Sequence, residues 1–254
     1  LLQGVQILVL DEMDRLLDMG FRNLVRSILS YLPPRQTLLF SATVPPSVKG
    51  MIEFCVQDHV FVDCVEDGAP QTVDTVQQSH IVVQPEKLVA GVVRTILHLM
   101  KSPNHKILVF FPTTSQVAYF ADLFNSGFGR RVLEIHSRLP QRTRTTISER
   151  FRLSKTGVMF TSNVSARGID YPDVTTVVQV GAASDRETYI HRLGRTARAG
   201  KRGEGILVLM EPEMNCLKRD LSGIDIPVHT KLQSIVERES FNHGIDEAMR
   251  NQQQ

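Results

Sequence analysis

The sequence predicts an α/β protein built on doubly wound parallel sheets, with a partial first domain followed by a complete second one. Three observations carry this. Short apolar runs alternate with longer amphipathic stretches, the pattern of βαβ units. Polar, chemistry-capable residues fall just after the apolar runs, where open parallel sheets bind ligands. The 254 residues also suffice for two cores of ordinary size.

Val5 to Leu10 reads as a buried strand, followed by a helical stretch through Tyr31. Pro33 and Pro34 break the chain before a second strand at Thr37 to Phe40. A helix is expected over Pro46 to Gln57 and a short strand over His59 to Cys64. From Glu66 to Thr75 the periodic apolar residues give way to Asp, Gly, Pro, Gln and Thr, the composition of a linker. Strands are then expected at Ser79 to Val83, Lys106 to Phe111, Val132 to His136, Gly157 to Thr161, Thr175 to Val180 and Gly205 to Leu209. Helices lie between them at Glu86 to Met100, Ser115 to Asn125, Gln141 to Phe151 and Arg186 to Leu193. The tail from Glu211 is polar, ends in three glutamines and shows no clear period. The organisation is therefore a first domain at 1–66, a linker at 67–78, a second domain at 79–211 and an extension at 212–254.

Composition sets bounds. Hydrophobic residues make up 42% and charged residues 22%, ordinary for a soluble globular chain. No apolar run approaches the roughly 20 residues of a membrane helix, and no basic-then-apolar leader opens the sequence, so no membrane association is expected. A net charge of +2 neither requires nor excludes a nucleic-acid partner. Cys55, Cys64 and Cys216 are odd in number and widely spaced, which suits reduced thiols in an intracellular protein.

Asp11, Glu12 and Asp14 sit where the first strand meets a helix. An acidic residue at a strand tip can hold Mg²⁺ through water while a neighbour orients the water that attacks a phosphate. Capping of the helix start explains the same spacing equally well. Ser41 and Thr43 after the second strand are weaker still, a cap or turn being the ordinary reading. The stretch YIHRLGRTARAGKRG, from Tyr189 to Gly203, is harder to dismiss. Glycines flank its arginines, suggesting a shaped loop whose guanidinium groups pair with phosphate oxygens. Between Arg130 and Lys155, eight Lys or Arg face two acidic residues, which fits a phosphate-backbone track or a solvated helix. Tryptophan is absent and only four tyrosines occur, which argues against recognition by base stacking.

Taken in order, VLDEMDRLLDMGF, LLFSAT, ILVFFPT, HSRLPQRTR, TSNVSARGIDYPDV and YIHRLGRTARAG resemble the motif series of the DEAD-box family of superfamily 2 RNA helicases. The resemblance spans nearly the whole chain to about Leu209 and implies RecA-like domains. It implies that Asp11 holds Mg²⁺ through water and Glu12 orients the attacking water. Asp14, Ser41, Thr43 and His191 would couple ATP state to domain closure. Arg195 and Arg198 would reach the γ-phosphate, with Asp170 and Gly168 beside the ribose. Thr113, Gln141, Arg144, Ser162 and Arg167 would face or support RNA. The implied cofactors are ATP and Mg²⁺, and the implied partners are RNA, held by its backbone, and other ribonucleoprotein components. The implied activity is an RNA-stimulated ATPase, acting as a monomer, that separates short duplexes as ATP drives domain closure. The competing reading is an RNA-binding scaffold that keeps the fold. Within the family, HSRLPQRTR, VVQVG and SDRETYIHRLGRTAR are similar to fungal mitochondrial and plant organelle-associated members, which leans towards an organelle; a nucleolar or cytoplasmic place is the alternative.

Three departures stand out. Met13 replaces the family's alanine, with its side chain expected along the helix start. Ser162 and Asn163 stand where the family has Thr and Asp, so the coupling around Arg167 or the RNA grip is expected to differ. No G-x-x-x-x-G-K-[ST] loop occurs in these residues, so the 254 residues alone are expected not to hydrolyse ATP.

Overall fold

The computed structural model describes residues 2–18, 20–41, 44, 46–56, 58–63, 76–163, 171–197 and 201–238. The chain divides into two compact units, Leu1–Gly68 and Ala69–Gln254.

In the first unit, β1 (Ile7–Leu10) pairs in parallel with β2 (Gln36–Leu39). Between them run α1 (Met13–Asp18) and α2 (Arg22–Ser30), and α3 (Pro46–Cys55) follows. The single helical stretch expected through Tyr31 is split at Gly20, whose φ of +78° suits a residue without a Cβ. Met13, Leu17, Val25, Leu29, Val48 and Met51 form the core, against which Leu8, Leu10 and Leu39 pack. Met13 is fully buried there, so the sulfur side chain fills the core rather than lining the helix start. The strand expected at His59 to Cys64 does not form over 59–63; those residues carry no regular structure and Val60, Phe61 and Val62 are exposed.

The second unit holds six parallel strands: β3 (Val76–Val83), β4 (Lys106–Phe110), β5 (Leu133–Ile135), β6 (Gly157–Thr161), β7 (Thr176–Val180) and β8 (Gly203–Met210). Their order is β3-β8-β7-β4-β6-β5. β3 begins three residues before the expected strand, inside the stretch read as linker. The sheet is buried on both faces, so its strands read as continuous apolar runs rather than alternating ones. Ile107, Val109, Val158, Phe160, Val178 and Val208 point to one face, towards α4 (Leu88–Leu99) and α5 (Thr114–Asp122). Leu108, Phe110, Met159 and Val177 point to the other, towards α6 (Gln141–Leu153). Leu207 and Leu209 meet α7 (Arg186–Leu193) and α8 (Asn215–Arg219) on that side. On the first face Phe160 meets Phe111 and Phe124 edge-on at centroid distances of 5.4 and 5.2 Å. Such pairs contribute about 0.5–1.5 kcal/mol beyond area burial.

The tail that lacked a period is partly ordered by the sheet. α9 (Thr230–Glu237) buries Leu232 and Val236 in the same core as α4. Ahead of it, the His80 N–H donates to the Pro227 carbonyl at 2.8 Å, and the His229 N–H donates to the His80 carbonyl at 2.8 Å. Gln233 closes on Val82 with both amide atoms, at 2.9 and 3.0 Å. The otherwise open edge of β3 is thereby covered.

Candidate functional site

At the tip of β1, the Asp11 carboxylate accepts the Glu12 N–H at 2.9 Å. Glu12 has a φ of +49°, a left-handed conformation that costs a non-glycine residue about 1 kcal/mol. The first amides of α1 are met from β2 instead. Met13 N–H donates to the Phe40 carbonyl at 3.1 Å, and Asp14 N–H donates to the Ser41 hydroxyl at 3.2 Å. Helix capping is therefore done by the neighbouring strand end, and Asp11 is left exposed at the tip. Asp14 is 1% exposed, and its backbone N–H is the group that meets Ser41. Thr43 lies outside the described residues. Among the described residues no three His, Cys, Asp or Glu side chains converge as a metal cage. One exposed carboxylate fits Mg²⁺, which is commonly held by one or two carboxylates with waters and substrate phosphates.

In the second unit the candidates separate to the two ends of the sheet. The carboxyl end carries Thr113, Gln141, Arg144 and Ser162. Thr113 caps α5, accepting the Gln116 N–H at 3.2 Å. Gln141 is exposed at the first turn of α6, whose start has no side-chain cap and no acidic residue. Arg144 Nε is buried and has no hydrogen-bond partner among the described residues. Ser162 is 8% exposed, directly after β6. Arg167, Gly168 and Asp170 lie outside the described residues.

The amino end carries Arg195. The turn after α7 runs back to the starts of β7 and β8, where the Thr196 hydroxyl donates to the Val174 carbonyl at 2.5 Å. Gly203 opens β8 against this turn so closely that a Cβ there would sit 2.2 Å from Thr196 Oγ1. Only glycine permits that approach. Ala197 occupies a left-handed φ of +54°. Arg195, Thr196, Lys201 and Arg202 border a cleft of about 180 Å³ with Tyr171 and Asp173. Lys201 pairs with Asp173, which holds that carboxyl below its ordinary range. Arg195 Nε donates to the His191 carbonyl at 3.3 Å, and His191 Nε2 lies 3.9 Å from Glu187. Arg198 lies outside the described residues.

One residue ties the ends together. Arg192 stands one turn before Arg195, yet its guanidinium reaches back to the carboxyl end, as long helical side chains do. It donates to Asn163 Oδ1 at 3.0 and 2.6 Å and to Gln179 Oε1 at 3.5 Å, and lies 5.5 Å from the Phe110 ring centroid. Burial pushes its pKa down to about 10, with Asp185 acting the other way. In the sequence Arg192 is one member of the basic run with no role of its own, and Asn163 is expected to act around Arg167 or on the RNA grip. Contacts across 29 residues leave no local signal.

Two family descriptions match the chain: a DEAD/DEAH box helicase domain over residues 1–51 and a helicase conserved C-terminal domain over residues 90–200. The chain belongs to the DEAD-box helicase family. Among curated relatives, DEAD-box ATP-dependent RNA helicase 31 of Arabidopsis thaliana is 49% identical over 212 residues, 82% of this chain and 29% of that protein. Probable DEAD-box ATP-dependent RNA helicase 48 of the same plant is 42% identical over 98% of this chain and 31% of its own length. The chain thus spans about a third of the curated relatives it matches. Among solved structures, Mss116p bound to ssRNA and AMP-PNP superposes with a TM-score of 0.77 at 26% identity, over 99% of this chain and 57% of that one. Dbp5 of S. cerevisiae, bound to RNA and ADP BeF3, gives 0.77 at 27%, over 93% and 64%. The RecA-like fold of this DEAD-box chain is thereby established.

Proposed function

We propose that this chain is the downstream part of the core of an ATP-dependent RNA helicase that separates short duplexes. The observation that carries the reading is the division of polar chemistry in the second unit. A basic, uncapped helix start with Gln141 and Arg144 lies at the carboxyl end of the sheet, and a backbone-fixed arginine, Arg195, at the amino end. An RNA phosphate suits the first, because a helix start with no side-chain cap and no acidic residue, with the Arg144 cation on it, favours an anion. A nucleotide phosphate suits the second, where Arg195 would offset charge developing in phosphoryl transfer. By motif position Arg198 would act with it, and Asp170 and Gly168 would meet the ribose.

In the first unit, Asp11 would hold Mg²⁺ through water and Glu12 would orient the attacking water. When bound, the ion would neutralise charge on the phosphates. Relatives described as ATP-dependent RNA helicases, and structural neighbours described as bound to RNA with AMP-PNP or ADP BeF3, support this reading.

The test is RNA-stimulated ATP hydrolysis by the full-length protein beside its Glu12→Gln variant. Turnover that rises with RNA and falls on the order of 10²-fold in the variant is expected. Equal, near-zero rates in both would instead favour an RNA-binding scaffold. The 254 residues by themselves, which contain no phosphate-loop motif, are expected to show no turnover.

A further inference from the structure

Arg192 is 3% exposed, and both groups that accept its hydrogen bonds, Asn163 and Gln179, are neutral amides. No carboxylate bonds to it among the described residues. Asp185 acts only through space, its oxygens being used by Ser184, Thr188 and the Thr188 N–H. A buried cation is ordinarily paired with an anion, because amide dipoles alone replace water poorly. Asn163 itself is exposed, immediately after β6 and next to Ser162 at the carboxyl end of the sheet. The amide therefore lies between a full buried charge and the surface assigned above to RNA.

We propose that Asn163 is an electrostatic positioning residue that holds Arg192 without neutralising it, so that the Arg192 charge is felt by an RNA phosphate at this surface. The inference rests on the RNA reading above and adds to it. Arg192 does not touch the RNA; the field of its unpaired charge does the work, through a short path of low-dielectric protein. An aspartate at 163 would accept the same two hydrogen bonds and bring the pair to zero charge. The identity of this one side chain thus sets RNA affinity without altering the fold.

The experiment is fluorescence anisotropy of a labelled single-stranded oligouridylate against the full-length protein at several salt concentrations, with thermal melts by circular dichroism as the folding control. Asn163→Asp is expected to weaken RNA binding roughly fivefold at low salt. Its plot of log K against log salt should be shallower by roughly 0.7. Asn163→Ala, which removes the acceptor but keeps the charge, should melt earlier and keep the wild-type salt slope. Arg192→Gln, where it folds, should share the shallower slope of Asn163→Asp despite lying beneath the surface. Wild-type binding with an unchanged or tighter Asn163→Asp complex would overturn the inference and leave the RNA reading intact. Absence of wild-type binding at any salt would remove the RNA reading, and the inference with it.

Discussion

The two ends of the six-stranded sheet are built by different means. At the carboxyl end, Thr113 and Ser162 follow closely on strand ends; Thr113 meets Gln116 three residues on, and the start of α6 carries no side-chain cap. At the amino end, Arg195 is placed by backbone: Thr196 reaches Val174, 22 residues away, and Gly203 admits the turn by lacking a side chain. The first design gives an open, adaptable surface suited to a polymer. The second gives a fixed guanidinium suited to a small group whose charge changes during reaction.

If that division is right, the ends should fail separately. Arg195→Ala in the full-length protein should lower RNA-stimulated ATP hydrolysis on the order of 10³-fold, with RNA affinity nearly unchanged. A parallel collapse of RNA binding would contradict the division. Arg144→Ala should do the converse, weakening RNA binding roughly five- to tenfold while ATP affinity is held. Loss of ATP binding in that variant would count against it.

Two smaller effects sharpen the comparison. Ala197→Gly relieves a left-handed alanine at the amino end and should raise stability by about 0.5–1 kcal/mol in denaturant melts. A loss of stability would mean that the alanine methyl packs better than its backbone suffers. At the carboxyl end, burial raises the Glu134 pKa, opposed by His136 3.9 Å away and reinforced by Asp122. The fold thus favours the protonated acid. Its contribution is present below the unfolded pKa of about 4.3 and is lost as pH rises through the higher folded value. Glu134→Gln should therefore raise the melting temperature slightly at pH 7, with the gain fading towards pH 4. A pH-independent difference would point to packing instead.

Much of the frame was legible because strand burial leaves a local mark. Gly157 to Thr161 and Arg186 to Leu193 form over the residues where their patterns end. The strand expected at His59 to Cys64, absent over 59–63, shows the limit of that signal: an apolar run becomes a strand only when a neighbouring strand pairs with it. The order of the tail was hidden for the complementary reason. Residues 230–237 form a helix because the edge of β3 and the face of α4 receive Gln233, Leu232 and Val236. In the candidate site, motif and position single out the Asp11–Glu12 tip and the arginine run as candidates, but not the neighbours that the fold gives them.

Sequence by itself determined most of the sheet strands of the second unit, the family and the chemical types of the candidate residues, since periodicity and motif spacing are local properties of the chain. Tertiary structure decided that β2, not Asp11, meets the first amides of α1. It also set Arg195 and the start of α6 at opposite ends of one sheet, and gave Asn163 to Arg192. Those outcomes depend on hydrogen bonds and close approaches between segments tens of residues apart, which no window of sequence contains.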